Sequence, residues 1–195
     1  NPPDEAVQLL HDLHAGQIQG FFDVPVDHLT GLDIIADHLL SEGVDGHVVV
    51  SPDIGRAPEA RRLANTLNLP LAMLYKRRTS PTDTEVTAVI GEVNGLKPIM
   101  IDDMISTAGT MRRGIDALIE LGAVPEVTVA ATHPVFTPPA LERLDMPAIK
   151  NVLVTDTVPF HGELASLKVL SVAPLLAKAI RNVHEHVSVS SLFRS

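Results

Sequence analysis

The 195-residue sequence has no cysteine and no tryptophan, a single tyrosine and five phenylalanines. Without cysteine there are no disulfides and no thiolate metal ligands, a composition that suits a reducing compartment. Aromatics make up 3% and hydrophobic residues 45%, so the interior must be built from Val, Ile, Leu and Ala. Such an interior is what parallel strands covered by helices require. No apolar run approaches the length of a membrane span, and the opening Asn1, Pro2, Pro3, Asp4, Glu5 has neither the basic nor the apolar region of a signal peptide. A soluble, cytoplasmic protein with no membrane partner is expected. Basic residues are also few, 15 Lys and Arg against 24 Asp and Glu for a net charge of −9. That balance argues against a nucleic-acid surface. The cations are concentrated, however, at Lys76, Arg77 and Arg78.

The length suits a single domain spanning residues 1–195. Apolar runs predict strands over 7–10, 47–50, 71–75, 98–101, 127–133, 151–157 and 169–171. Stripes at helical spacing alternate with them: Leu32, Ile35, Leu39 and Leu40; Leu63, Ala64 and Leu67; Met111, Ile115, Leu118 and Ile119; Leu175, Leu176, Ala179, Ile180 and Val183. Thr30 and Asp33 have the spacing of a capping box, with Asp in place of the usual Glu, and Pro25 with Asp27 predicts a turn. Strands alternating with helices, without an internal repeat, imply an α/β fold with a doubly wound, mainly parallel sheet, whose ligands sit at the carboxyl ends of the strands.

The most informative stretch runs from Pro98 to Thr110. A short buried strand leads to two adjacent carboxylates, Asp102 and Asp103, and then to a loop of Ser106, Thr107, Ala108, Gly109 and Thr110 before a helix. Gly109 would let the backbone approach an anion, the hydroxyls would donate to it, and the helix start adds unpaired N–H groups and a positive dipole end. A phosphate would be held there without lysine. Carboxylates beside a phosphate make chemical sense if they grip sugar hydroxyls or a Mg2+ ion, as a pentose 5-phosphate would ask. A solvated turn with a helix cap is the alternative reading of the acidic pair.

Other loops on the same face carry chemistry. Asp53, Ile54, Gly55 and Arg56 form a second phosphate-type loop after a strand, in which Asp53 could hold a metal. Arg56 could contact pyrophosphate or be a solvated first-turn residue. Lys76 to Arg78 leave the third strand at the same end, and a flexible cationic loop there would close over transferring phosphates. Residues 85–93 read as a ribbon flanking that loop. His14, Gln17 and Gln19 cluster in a polar segment without alternation, as site or interface residues or as groups satisfying loop backbone.

Taken in order, the segments Asp12 to Phe22, Val50 to Asp53, Lys76 to Arg78, Asp102 to Thr110, Ala131 to Phe136, Ser171 to Leu176 and Ser188 to Phe193 resemble the ribose-phosphate pyrophosphokinases. The resemblance covers about Leu13 to Phe193. It implies the type I phosphoribosyltransferase fold with a flexible flap, and transfer of pyrophosphate from ATP to the 1-hydroxyl of ribose 5-phosphate with Mg2+, for nucleotide biosynthesis. It implies His14 and Asp53 as the metal pair and Asp102, Asp103 and Ser106 to Thr110 as the ribose 5-phosphate site. By the same resemblance Asp53 to Arg56 form the pyrophosphate loop, Lys76 and Arg78 are the catalytic cations, and Gln19, Ser188, Ser190 and Phe193 belong to a regulatory site. It further implies that this is a carboxyl-terminal half, either self-associating or joined to a missing N-terminal half. Three positions depart from the family pattern: Ser106 in place of Asp, Arg56 in place of Gly, and His28 in place of Asn. A nucleobase phosphoribosyltransferase and a non-catalytic regulatory subunit are the competing readings.

Overall fold

A computed structural model describes residues 7–78 and 84–192, without the side chains of residues 76–78, 84–87 and 191. Phe193 and the segment between Arg78 and Thr84 lie outside the described residues.

The apolar runs become strands β3 (His47–Ser51), β4 (Leu71–Arg78), β5 (Thr84–Ile90), β6 (Lys97–Met104), β7 (Val127–His133), β8 (Ile149–Thr155) and β9 (Leu167–Leu170). They form one seven-stranded sheet in the order β5-β4-β3-β6-β7-β8-β9. Every neighbouring pair is parallel except β4 and β5. Helices α1 (Leu32–Glu42) and α2 (Ala57–Leu67) cover one face. Helices α3 (Gly109–Glu120) and α4 (Ala140–Leu144) cover the other. The doubly wound α/β expectation is met.

Strand geometry alternates side chains between the faces, so each apolar run feeds two cores at once. Val49, Ile99, Ile101, Ala130 and Leu153 pack with Ile35, Leu39, Leu63 and Leu67 beneath α1 and α2. Val48, Val50, Met100, Val129 and Val152 pack with Met111, Ile115 and Leu118 beneath α3. Each of those Leu and Ile side chains contributes about 1.5–3 kcal/mol on leaving water.

A second, smaller sheet pairs β1 (Gln8–His11) in parallel with β2 (Val26–Leu29). A turn was expected where β2 lies. The strand forms because Leu9 and Leu29 pack on helix α5 (Ala173–His184), through Ala179, Leu175 and Val183, and on the tail residues Val189 and Leu192.

Three further local expectations are revised. The capping box does not form: Thr30 Oγ1 accepts from Leu32 N–H at 3.2 Å, but Asp33 is drawn across the helix pair to Arg62 at 2.9 Å. Strand β6 continues through both aspartates, because β7 supplies partners for Asp102 at Ala131 and for Met104 at His133. The acidic pair therefore sits inside the last strand turn, not beyond it. Likewise β4 continues through Arg78, with Lys76 opposite Val86 and Arg78 opposite Thr84 on β5, after a register irregularity at Tyr75 and Lys76. The cationic residues lie in the backbone of a ribbon, where a loop was expected.

Candidate active site

From β3 the chain steps outward to β4 and then returns to place β6 on the opposite side of β3, so the winding direction reverses between β3 and β6. At such a switch point the connecting loops diverge and leave a crevice at the strand ends. The end of β3 carries Ser51 and Asp53, and the end of β6 carries Asp102 and Asp103. An open pocket there is lined by Asp12, His28, Thr30, Arg56, Asp102 and Thr132, among others.

Asp103 is the hub. Its Oδ1 accepts the Met104 N–H at 2.8 Å, and its Oδ2 accepts His14 Nδ1–H at 2.6 Å and lies 3.3 Å from Arg56 Nη1. Asp102 Oδ1 accepts the Asp103 N–H at 2.9 Å and faces Arg56 Nε at 3.9 Å. Burial, reinforced by the neighbouring Asp103, pushes the Asp102 carboxyl up to about 7. Burial also acts upward on Asp103, but its hydrogen bonds with His14 and Asp102 and the Arg56 charge outweigh it and hold that carboxylate below its ordinary range. The pair thus shares a site with its proton affinities driven apart.

Arg56 is committed inward. It meets both aspartates, approaches Glu59 at 3.6 Å and donates through Nη2 to the His14 carbonyl at 3.4 Å. The solvated first-turn reading of Arg56 does not describe this geometry, since the side chain is only 17% exposed and faces carboxylates. Asp53 caps its own loop by accepting the Arg56 N–H at 3.1 Å, while Ser51 Oγ donates to the Asp53 carbonyl at 2.6 Å. The structure brings His14 to Asp103; no hydrogen bond or ion pair joins it to Asp53.

The loop from Ser106 to Thr110 enters α3 as expected, with one change of role. The left-handed residue is Ala108, at φ 57°, not Gly109. A Cβ at Gly109 would lie 3.1 Å from Arg143 Nη1, so the end of that side chain would have to give by a few tenths of an ångström. Arg143, on α4, donates to the Thr107 carbonyl at 3.0 Å, and Ser106 Oγ lies 3.2 Å from Thr137 Oγ1. Arg143 went unnoticed in the sequence because nothing in the spacing of a five-residue helix ties it to a loop 36 positions earlier.

The segment bearing His14 is latched to the main sheet by residues that sequence reasoning treated only as family markers. Asp12 Oδ2 accepts the Gly31 N–H at 2.7 Å and the Thr132 hydroxyl. His133 Nε2 donates to the Asp12 carbonyl at 3.0 Å. His28 Nε2 accepts the Leu13 N–H at 2.7 Å. Gln19 lies in a 3-10 turn, Gly16–Phe21, and donates to the Gly16 carbonyl at 3.1 Å, which is the backbone-satisfying role. Ser188 Oγ accepts the Ser190 N–H at 3.2 Å beside the final 3-10 turn. The side chains of Lys76 and Arg78, and Phe193, lie outside the described residues.

A doubly wound α/β protein whose switch-point crevice is lined by an acidic pair, a histidine and a helix start is the class these features define. A family model described as the phosphoribosyl synthetase-associated domain matches residues 51–194. The chain belongs to that family. The curated ribose-phosphate pyrophosphokinase of Clostridium acetobutylicum is 45% identical over 190 residues, covering 95% of this chain and 59% of its own. That of Caldanaerobacter subterraneus subsp. tengcongensis is 49% identical over 185 residues, covering 93% and 58%. The crystal structure of a phosphoribosylpyrophosphate synthetase from Mycobacterium smegmatis aligns with a TM-score of 0.83 at 41% identity, covering 92% of this chain and 59% of that one. The resemblance drawn from the motifs is borne out, and the chain spans less than three fifths of the length of these relatives.

Proposed function

We propose that this chain carries the ribose 5-phosphate site of a ribose-phosphate pyrophosphokinase and takes part in transferring pyrophosphate from ATP to the sugar 1-hydroxyl. The observation that supports it best is the meeting, at one switch point, of an acidic pair with a hydroxyl-lined helix start. The N–H groups at the start of α3, with Thr107 and Thr110, would hold the 5-phosphate. Asp102, raised toward neutrality and standing on the pocket wall, would accept or donate to sugar hydroxyls. Transfer of this kind needs positioning and charge neutralisation more than a dedicated base. Lys76 and Arg78 are proposed to neutralise the moving phosphates.

Among the described residues no three carboxylate or imidazole groups converge into a ready-made metal cage. The donors nonetheless fit Mg2+ as a partial set, because this ion keeps several positions for water and substrate phosphates. His14 and Asp53 would hold it, and its chemistry would be to neutralise phosphate oxygens. Gln19, Ser188, Ser190 and Phe193 are proposed as regulatory contacts, and self-association or pairing with a further segment as the assembly.

Calorimetry of ribose 5-phosphate with the chain in the presence of Mg2+ is expected to show saturable binding, and its absence would overturn the site assignment. Release of AMP from ATP that depends on ribose 5-phosphate then tests the reaction itself.

A further inference from the structure

The two adjacent aspartates are not equivalent. Both border the pocket, but Asp102 gives one oxygen to the neighbouring N–H and is 19% exposed. Asp103 is only 8% exposed, and both of its oxygens are taken, one by the Met104 N–H and the other by His14 and Arg56. The imidazole it holds is 64% exposed, and among the described residues only its Nδ1 makes a hydrogen bond. Since a carboxylate oxygen can only accept, Nδ1 must carry the hydrogen. In the neutral ring that leaves the lone pair on Nε2. Arg56 secures the arrangement from two directions, holding the Asp103 carboxylate with Nη1 and the His14 backbone with Nη2.

We propose that Asp103 is the positioning residue of His14, fixing the Nδ1–H tautomer so that Nε2 is presented to a divalent cation, while Asp102 alone of the pair addresses the sugar. The inference rests on the reading of His14 as a cation ligand and goes beyond it by assigning different tasks to the two carboxylates. A ligating imidazole needs its second nitrogen oriented by a hydrogen-bond acceptor, and loss of such a partner weakens metal binding about 10–100-fold.

The test uses the whole chain labelled with 15N-histidine, with Mn2+ as the probe cation. Long-range nitrogen–proton correlation should find wild-type His14 as the Nδ1–H tautomer. An Nε2–H tautomer in the wild type overturns the proposal without any variant. In Asp103→Asn the amide oxygen is claimed by the Met104 N–H and the NH2 group faces His14, so the ring should switch to Nε2–H. Paramagnetic resonance titration should show Mn2+ affinity falling about 10–100-fold. Asp102→Asn should keep the His14 tautomer and lose ribose 5-phosphate binding. Mn2+ bound equally by wild type and Asp103→Asn overturns this assignment and spares the sugar-phosphate reading. No Mn2+ binding by the wild type, even with ribose 5-phosphate present, overturns the cation role of His14 together with it.

Discussion

The two sheets are held by different forces. The seven-stranded sheet is buried on both faces by aliphatic side chains, with Ile35, Leu63, Ile99, Ile115 and Leu118 fully withdrawn from water. The β1–β2 sheet has one small apolar contact with α5 and the tail, and otherwise a short set of directional bonds through Asp12, Thr132, His133 and His28. Burial is non-directional and grows with area, whereas each net hydrogen bond is worth about 1 kcal/mol but dictates geometry. The large sheet therefore supplies stability, and the small one supplies placement, since it carries the histidine that meets Asp103. Placement can be lost without unfolding the protein.

The sharpest way to break the comparison from the stable side is Leu118→Ala. The side chain is fully buried between α3 and the sheet, and its truncation should cost about 2–5 kcal/mol, the lost transfer energy plus a cavity. Thermal and denaturant unfolding should both shift. Because the small sheet's own apolar cluster is confined to Leu29, Ala179, Val189 and a few half-buried neighbours, its amides should lose protection together with those of β6 and β7. Protection of residues 8–11 that outlasts β6 would show that the small sheet is not dependent.

That dependence explains what was legible in the sequence. Parallel strands buried on both faces announce themselves as Val, Ile and Leu runs, so β3 and β7 could be read within a residue or two, and β6 could be placed although it runs three residues further than its apolar run. Strand β2 could not, because Val26, Asp27, His28 and Leu29 contain only two apolar residues, and the sequence before them begins with a proline turn signal. What makes those residues a strand is a partner 18 positions earlier. The acidic pair and the hydroxyl loop were legible as a cradle because their spacing is local. The Asp103–His14 bond spans 89 residues and the Arg143–Thr107 bond 36, and no local pattern encodes either. Arg56 was visible as a departure from the family, yet its inward turn depends on where Asp102 and Asp103 end up in space.

At the edge of the large sheet, Gly91 offers the next largest effect. It sits at φ 106°, and a Cβ would lie 2.7 Å from the Leu71 carbonyl oxygen. Gly91→Ala should cost roughly 1–3 kcal/mol from the left-handed backbone, with the contact adding to it. Exchange measured along β4 and β5 should rise more than along β7. An equal rise everywhere would mean that the edge ribbon is not a separable unit.

From the other side, Thr132→Val keeps the volume and removes the hydroxyl that donates to Asp12. The Asp12 carboxylate keeps the Gly31 N–H, so the loss should be about 1–2 kcal/mol and confined to the latch. Hydrogen exchange should quicken at residues 8–13 and 26–29, while the global unfolding midpoint moves little. A drop in global stability matching that of the exchange would place the latch within the main cooperative unit.

The smallest effect is one of pH and isolates the latch from the core. His11 lies beside Asp12, His133, His28 and Asp156, with both ring nitrogens buried and without hydrogen-bond partners among the described residues. Burial is the main cause of its lowered proton affinity; His133 and His28 act the same way, and Asp12 and Asp156 oppose it. Once the pH falls below the ordinary histidine value of 6.5, a detached segment binds a proton that the packed ring resists. Detachment is then favoured. Stability of the small sheet should therefore be fully present above that value and be lost progressively as the pH drops through it toward the lowered value. Exchange at residues 8–11, compared between pH 7.5 and 5.5, should accelerate in the wild type after correction for intrinsic rates, and the acceleration should shrink in His11→Phe, which has no proton to bind. Asp156, whose carboxylate is held below its ordinary range chiefly by its bond from the Val172 N–H, contributes with the same sign only at lower pH. An unchanged slope in His11→Phe would leave the burial of His11 without consequence for the latch.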